Sequence, residues 1–418
     1  MAEQSKTYCP YPFISSHANV SGKFAPCCNA DTVAKHLGLT KKEAYEYSLE
    51  SKTYKEWFND PFMKDLRQQF IDGKRPSICK VCWDSEDVGA ESYRTNILSK
   101  FEIKDPLNPT IQYLDLKFSN ECNLACRMCD YHSSNQIGKD MAEFEKRGWE
   151  LPLNWERSPQ QDKRIDENFI RGYSDDVLHE IDSFIPDLRY LKVTGGEPTI
   201  SKQFNRIVDS AISSGHCEHI DLWLTTNATR LTPEYLQKLK GFKSIFLNIS
   251  VDGYGTTYNY IRYPFKWENF EKRIEDIVNF KKLNPDLNFE FNFTCVPQLY
   301  NVENLPKLQE WVKRIKASDV FLQPQIGPTD TDHDWKWLPI DILQNSISNI
   351  VPNRNSMSFI NLVLKHIKDP FVVPVNNKQL TTIKTNTVRV DTVRKQNYLD
   401  SLEEKTIKWL EGIKVDAR

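Results

Sequence analysis

Long apolar runs and a charge of one sign are both missing from this 418-residue sequence. No stretch approaches the roughly 20 apolar residues that cross a bilayer, and none follows Met1-Ala-Glu-Gln-Ser-Lys6, so neither a membrane span nor a secretory signal is expected. The 55 Lys and Arg nearly balance 57 Asp and Glu, for a net charge of −2. That balance argues against a bulk electrostatic nucleic-acid binder and leaves only a local basic groove open. Internal repeats and low-complexity tracts are absent. Eight histidines make no ligand or triad pattern, so His17, His132 and His333 read as surface or core residues. The expectation is a cytoplasmic protein with no membrane or nucleic-acid partner.

Cysteine is what the chain does have. Eight of the ten fall in short groupings: Cys9, Cys27-Cys28, Cys79-x2-Cys82 and Cys122-x3-Cys126-x2-Cys129. Without a signal peptide, such groupings point to metal or cluster ligation in a reducing compartment rather than to disulfides. Cys217 and Cys295 stand alone and read as small packing residues.

The length exceeds one hydrophobic core, so two or three domains are expected. Segments Thr40–Trp57 and Pro61–Asp72 have helical patterning, with Gly73 stopping the second. A Pro/Asn connector, Lys104–Thr110, marks a boundary near residue 108. Beyond it, strand patterns at 111–118, 188–194, 219–225, 244–251, 288–296 and 318–325 alternate with helical ones near 174–185, 201–214, 232–240, 267–282 and 301–316. That alternation predicts βαβ units and a parallel sheet. The stretch 132–172 reads as a helix to about 148 followed by a polar insertion, Trp149–Lys163. Past Gly327-Pro328 an acidic turn leads into a tail with helices near 340–368 and 395–413. The polar region between them reads as strand or loop.

The chemistry concentrates in Cys122-Asn-Leu-Ala-Cys126-Arg-Met-Cys129. Three thiolates are one fewer than a closed tetrahedral zinc site or a fully ligated iron–sulfur cluster requires, so one metal position stays open. The loop follows the strand run 111–118, at the edge where ligands bind in parallel α/β architectures. Read alone, the triplet also admits a zinc site with a distant fourth ligand. With Gly195-Gly196-Glu197-Pro198 downstream, the spacing resembles the radical S-adenosylmethionine (SAM) superfamily. The resemblance implies a partial (β/α)6 TIM-like barrel with a [4Fe–4S] cluster on Cys122, Cys126 and Cys129. It also implies reductive cleavage of SAM to a 5′-deoxyadenosyl radical that abstracts hydrogen from a substrate.

Within that resemblance, Gly195, Gly196 and Glu197 match the turn that meets the SAM ammonium. Ser250-Val-Asp252-Gly253 with Arg262 matches a pattern contacting the SAM ribose and carboxylate, for which a planar, permanently charged guanidinium is suited. Asn227, after the third barrel strand, matches a pocket position. Met128 stands where the family usually has an aromatic residue beside the adenine, and a polarizable thioether can take that place. Val296 lines either the adenine or the core. Cys295 is only a candidate hydrogen donor.

Cys9, Cys27, Cys79 and Cys82 look like the auxiliary-cluster (twitch or SPASM) domains of some radical SAM enzymes, with Cys28 as the alternate to Cys27. The family places such domains after the barrel, whereas here the cysteines precede it. The competing reading is structural zinc on the same four ligands, which the spacings also permit. The expected organisation is an auxiliary-cluster domain at 1–108, the barrel at 109–328 and a mostly helical C-terminal extension at 329–418. The implied partners are a low-potential donor such as flavodoxin or ferredoxin and a peptide or small-molecule substrate. Branches with an auxiliary cluster often modify peptides, but Cys9 is expected to leave no room for a leader-binding domain before it. Sugar or nucleotide derivatives therefore stay open, as does a non-catalytic electron carrier.

Overall fold

Eight strands are present among the described residues: β1 (Ser15–Ala18), β2 (Phe24–Ala25), β3 (Tyr113–Lys117), β4 (Tyr190–Thr194), β5 (Asp221–Thr226), β6 (Ser244–Ser250), β7 (Phe289–Cys295) and β8 (Val320–Leu322). The computed structural model describes residues 6–19, 21–87, 91–98, 106–153, 155, 172–315, 320–322, 332–369 and 375–414. The expected insertion beyond Trp155, the boundary at Gly327-Pro328 and the end of the last barrel strand (323–325) lie outside them. The chain divides into two units: residues 1–119, 170–224 and 239–245, and residues 120–169, 225–238 and 246–418.

In the first unit the strand order is β2-β1-β3-β4-β5. β3 and β4 pair in parallel from Tyr113↔Tyr190 to Lys117↔Thr194, and β4 continues in parallel onto β5. Side chains alternate across a sheet. Leu114, Leu116, Leu191, Val193, Leu222 and Leu224 are fully buried on one face. Helices Asp175–Phe184 and Lys202–Ser213 bury Leu178, Ile181, Phe204 and Val208. Each starts at a serine, Ser174 or Ser201, whose side chain accepts an amide hydrogen bond from the helix's third residue. The opposite face carries Asp115, Lys192 and Trp223. Parallel strands covered on both faces read as apolar throughout, so polar residues on alternate positions mark a barrel interior.

In the second unit β6, β7 and β8 follow in order, and β7 pairs in parallel with β8. Helices Trp267–Leu283 and Leu305–Arg314 bury Phe270, Ile274, Ile277, Leu308 and Trp311. The fold is an α/β partial barrel with substantial helical content. No helix among the described residues is long and apolar enough to cross a membrane.

Four expectations change. β1 and β2 were not foreseen: β1 reads Ser-Ser-His-Ala, with no apolar signature, yet lies parallel to β3 and fully buried. The single helix expected at 340–368 is two, Ile340–Asn349 and Met357–Lys368, separated around Pro352. The polar region before 395 is an 18-residue helix, Asn377–Arg394, opened by a capping box of Asn376 and Gln379. Its β-branched threonines and valines resemble a strand by propensity. Its buried residues, Ile383, Asn386, Thr387, Val390, Asp391 and Arg394, nevertheless follow helical spacing. That stripe is mostly polar, which hides it from a hydrophobic pattern. The helix expected at 395–413 is confined to Glu404–Gly412.

Candidate cluster and cofactor site

The three-cysteine loop is held by its own polar residues. Asn120 donates to the Tyr131 carbonyl at 2.7 Å, and Ser134 Oγ to the Leu124 carbonyl at 2.6 Å. Asn135 Oδ1 accepts from Cys122 N at 3.0 Å. On the other side, Ala125 N and Arg127 N donate to the carbonyls of Tyr263 and Ile261 at 2.7 and 3.0 Å. Cys122, Leu124 and Cys126 form a buried apolar cluster against which Met128, Cys129 and Phe265 pack.

Hydrogen-bond donors converge on these sulfurs. Leu124 N lies 3.5 Å from Cys122 Sγ, and Asn227 Nδ2 lies 3.9 Å from it. Arg262 Nη1 lies 3.6 Å from Cys126 Sγ. The hydrogen bond with Cys129 brings the Cys126 thiol down to about 7, against burial and aided by Arg262, while Cys129 rises in consequence.

Arg262 is held in turn by the fully buried Asp252, with which it forms an ion pair. Against burial, Asp252 and then Cys126 keep the guanidinium above its usual range. Asp252 Oδ1 also accepts from Val296 N at 2.7 Å, and Asn301 donates to the Asp252 carbonyl at 3.2 Å. Gly253 has φ +151°, and a Cβ there would meet Thr257 Cγ2 at 2.9 Å, so this turn requires glycine. Asp252 therefore faces Arg262 rather than open space, and Ser250 ends β6 two residues earlier. Cys295 is fully buried, with Asn301 Nδ2 3.7 Å from its sulfur.

In the first unit Gly195-Gly196 follows β4. Gly195 has φ +124°, and a Cβ on it would meet the Ser119 carbonyl at 3.1 Å. Gly196 N donates to that same carbonyl at 3.0 Å. Glu197 is buried and caps the following turn, accepting from Thr199 N at 3.1 Å and Thr199 Oγ1 at 2.6 Å.

The radical SAM superfamily model matches residues 116–298, which contain the cysteine loop and Arg262 of the second unit and the Gly195-Gly196 turn of the first. Residues 116–298 are therefore similar to that superfamily. An uncharacterized protein of Methanocaldococcus jannaschii, MJ0907, is 28% identical over 211 residues, 50% of this chain and 60% of that protein. Mycofactocin maturase MftC of Mycolicibacterium smegmatis is 32% identical over 78 residues, 19% of this chain and 18% of that one. GTP 3′,8-cyclase of Mesorhizobium japonicum is 24% identical over 247 residues, 58% of this chain and 64% of that one. The chain thus spans less than two thirds of the length of each of these relatives.

The cysteines of the first hundred residues precede the matched stretch 116–298. Cys9, Cys27, Cys79 and Cys82 line one small cavity with Tyr11, Phe70, Tyr93 and Arg94. Burial, then the neighbouring thiols, pushes Cys9 and Cys79 far up; for Cys27 burial is joined first by Cys28. Arg94 is fixed by Glu86 at 2.5 Å and stacks over Trp83. Asn29 Nδ2 lies 3.7 Å from Cys82 Sγ. Cys28 is absent from this lining. Its sulfur lies 3.1 Å from Lys192 Nζ, which also donates to Tyr93 OH at 3.0 Å and Asp115 Oδ2 at 2.9 Å. Among the described residues, no three His, Cys, Asp or Glu side chains group closely enough to hold a single metal ion.

The Lys192–Asp115–His17 network escaped sequence reading. Its only sign is that charged residues interrupt leucine-rich strands at alternate positions.

Proposed function

We propose that this protein is a radical SAM enzyme, with Cys122, Cys126 and Cys129 holding a [4Fe–4S] cluster. When bound, the cluster supplies an open iron for SAM and one electron for its reductive cleavage to a 5′-deoxyadenosyl radical, which takes hydrogen from a substrate. The observation that carries this reading is the convergence of Arg262, Asn227 and the Leu124 amide on the loop sulfurs. Donors aimed at sulfur stabilise thiolate, and the donor set suits an iron–sulfur centre.

The chain's own residues divide the work. Arg262 offers fixed positive charge beside Cys126, suited to a carboxylate. Asp252 acts through Arg262, as a positioning residue. Gly195 and Gly196 keep a backbone surface open to close approach, with Glu197 fixing the turn that follows. Asn227, Ser250 and Met128 are assigned to the same cosubstrate.

We assign Cys9, Cys27, Cys79 and Cys82 to a second [4Fe–4S] cluster, carried by residues 1–108 ahead of a barrel at 109–328 and an extension at 329–418. Four thiols lining one cavity support a bound centre there. A low-potential flavodoxin or ferredoxin would supply the electron. Two of the three relatives are named by function, a maturase and a GTP 3′,8-cyclase, and no single substrate class follows from them.

Anaerobic reconstitution with iron and sulfide, then dithionite and SAM, tests the reading. 5′-Deoxyadenosine is the expected product, and Cys126→Ala is expected to abolish it. A filled cluster without that product would overturn the enzymatic reading. Iron analysis should give about eight atoms per chain if both sites hold four-iron clusters; four iron and one zinc would reassign the N-terminal site.

A further inference from the structure

The loop between the ligand cysteines carries a buried cation for which the cofactor chemistry has no use. Arg127 lies between Cys126 and Met128 with its side chain buried. Its guanidinium sits 3.6 Å from the Tyr260 ring centroid and 5.3 Å from that of Tyr300. Nε donates to the Tyr260 carbonyl at 3.2 Å. Nη2 pairs with the Asp391 carboxylate and donates to Gln396 Oε1 at 3.2 Å. The other oxygen of Asp391 accepts from Tyr398 N at 2.8 Å.

One turn further along the same helix, Arg394 repeats the arrangement with reversed sign. Its Nε and Nη2 donate to Asp140 Oδ2 at 2.9 and 2.7 Å. Asp140 belongs to helix Asn135–Lys146, the first element after the cysteine loop. Positions 391 and 394 share one helix face, so a single rigid element grips both the loop and the helix that follows it. Gln396 Nε2 adds a third grip, donating to the carbonyls of Asn259 and Tyr260 at 3.1 and 3.2 Å. Those carbonyls lie just ahead of Arg262.

We propose that the C-terminal end of helix Asn377–Arg394 is a clasp for the cluster loop. Asp391 and Arg394 are positioning residues that fix Cys126, Cys129 and Arg262 relative to one another. A helix needed only for packing would bury apolar side chains. Buried charges persist only when paired and hydrogen-bonded, which dictates their geometry closely. The consequence for the cluster rests on the cluster assignment above; the geometry of the clasp does not.

Two measurements test it, on Asp391→Asn and on Gln396→Ala, the milder change that carries the test if the first variant does not fold. In the metal-free chain, hydrogen exchange across 122–129 reads the Ala125 and Arg127 amides. Exchange about tenfold faster than in the parent is expected, with helix Trp267–Leu283 unchanged, because a charge-assisted hydrogen bond is worth at least that factor. In the reconstituted protein, a chelator should strip iron about tenfold faster, and the electron paramagnetic resonance signal of the reduced cluster should lose part of its SAM-induced shift. Unchanged exchange in the folded variants overturns the clasp, and faster exchange with unchanged iron loss overturns its role toward the cluster. Failure of the parent chain to take up a four-iron cluster would instead overturn the cluster assignment and leave the exchange result standing.

Discussion

Gln298 is fully buried, and among the described residues neither polar atom of its side chain has a hydrogen-bond partner. Its backbone is held, with N donating to Asn301 Oδ1 at 2.8 Å. A buried amide left unpaired costs about 1–3 kcal/mol. Gln298→Met keeps the length and removes both polar atoms. Urea unfolding of the metal-free chain should therefore show a gain of about 1 kcal/mol. Arg262 is the opposite case, because its removal strands a charge. Arg262→Gln leaves Asp252 buried without its partner and is expected to cost about 3–5 kcal/mol in the same measurement. Arg262→Met combined with Asp252→Leu should recover most of that loss. Arg262 was legible from its spacing after Asp252-Gly253. Gln298 was not, since a glutamine after a strand has no signature until its surroundings are known.

Elements were legible where their buried faces are apolar. β3 to β7 fall within the expected runs, to within a residue at their ends, because leucine, isoleucine and phenylalanine alternate along them. β1 and helix Asn377–Arg394 were hidden because they bury serines, threonines and charges whose partners are remote in sequence. Arg127 and Asp391 are 264 residues apart. The turn at Cys27-Cys28 shows the same contrast on a small scale. Sequence reading kept Cys28 as the alternate ligand to Cys27. The fold turns Cys27 to the cavity shared with Cys9, Cys79 and Cys82, and Cys28 to Lys192. Cys27→Ala is accordingly expected to lose the iron of the N-terminal site. Cys28→Ala should keep it, with iron and sulfide counts on anaerobically reconstituted protein as the measure.

Two fully buried histidines contribute to how the molecule answers acid. Burial, opposed for His17 by Asp115 and reinforced for His333 by Arg127, holds both down to about 4. Both are therefore neutral in the folded chain, whereas an unfolded histidine titrates near 6.5. Groups with a lowered folded value take up protons first in the unfolded state. Their contribution is complete above about pH 6.5 and is lost as the pH falls toward 4. At pH 5 each histidine should have forfeited about 2 kcal/mol. Asp115 does not blur this window, because Lys192 and His17, against its burial, hold it down to about 2. Urea unfolding of the metal-free chain at pH 7.5 and pH 5 is the measurement, with a clear fall in stability expected. His17→Asn keeps a donor for the Asp115 carbonyl, 3.0 Å from Nδ1 in the parent, while removing the titration. That variant should lose about 2 kcal/mol of the fall. An unchanged slope would assign the acid response to other groups and would mean that protons reach His17 without opening the barrel strands around it.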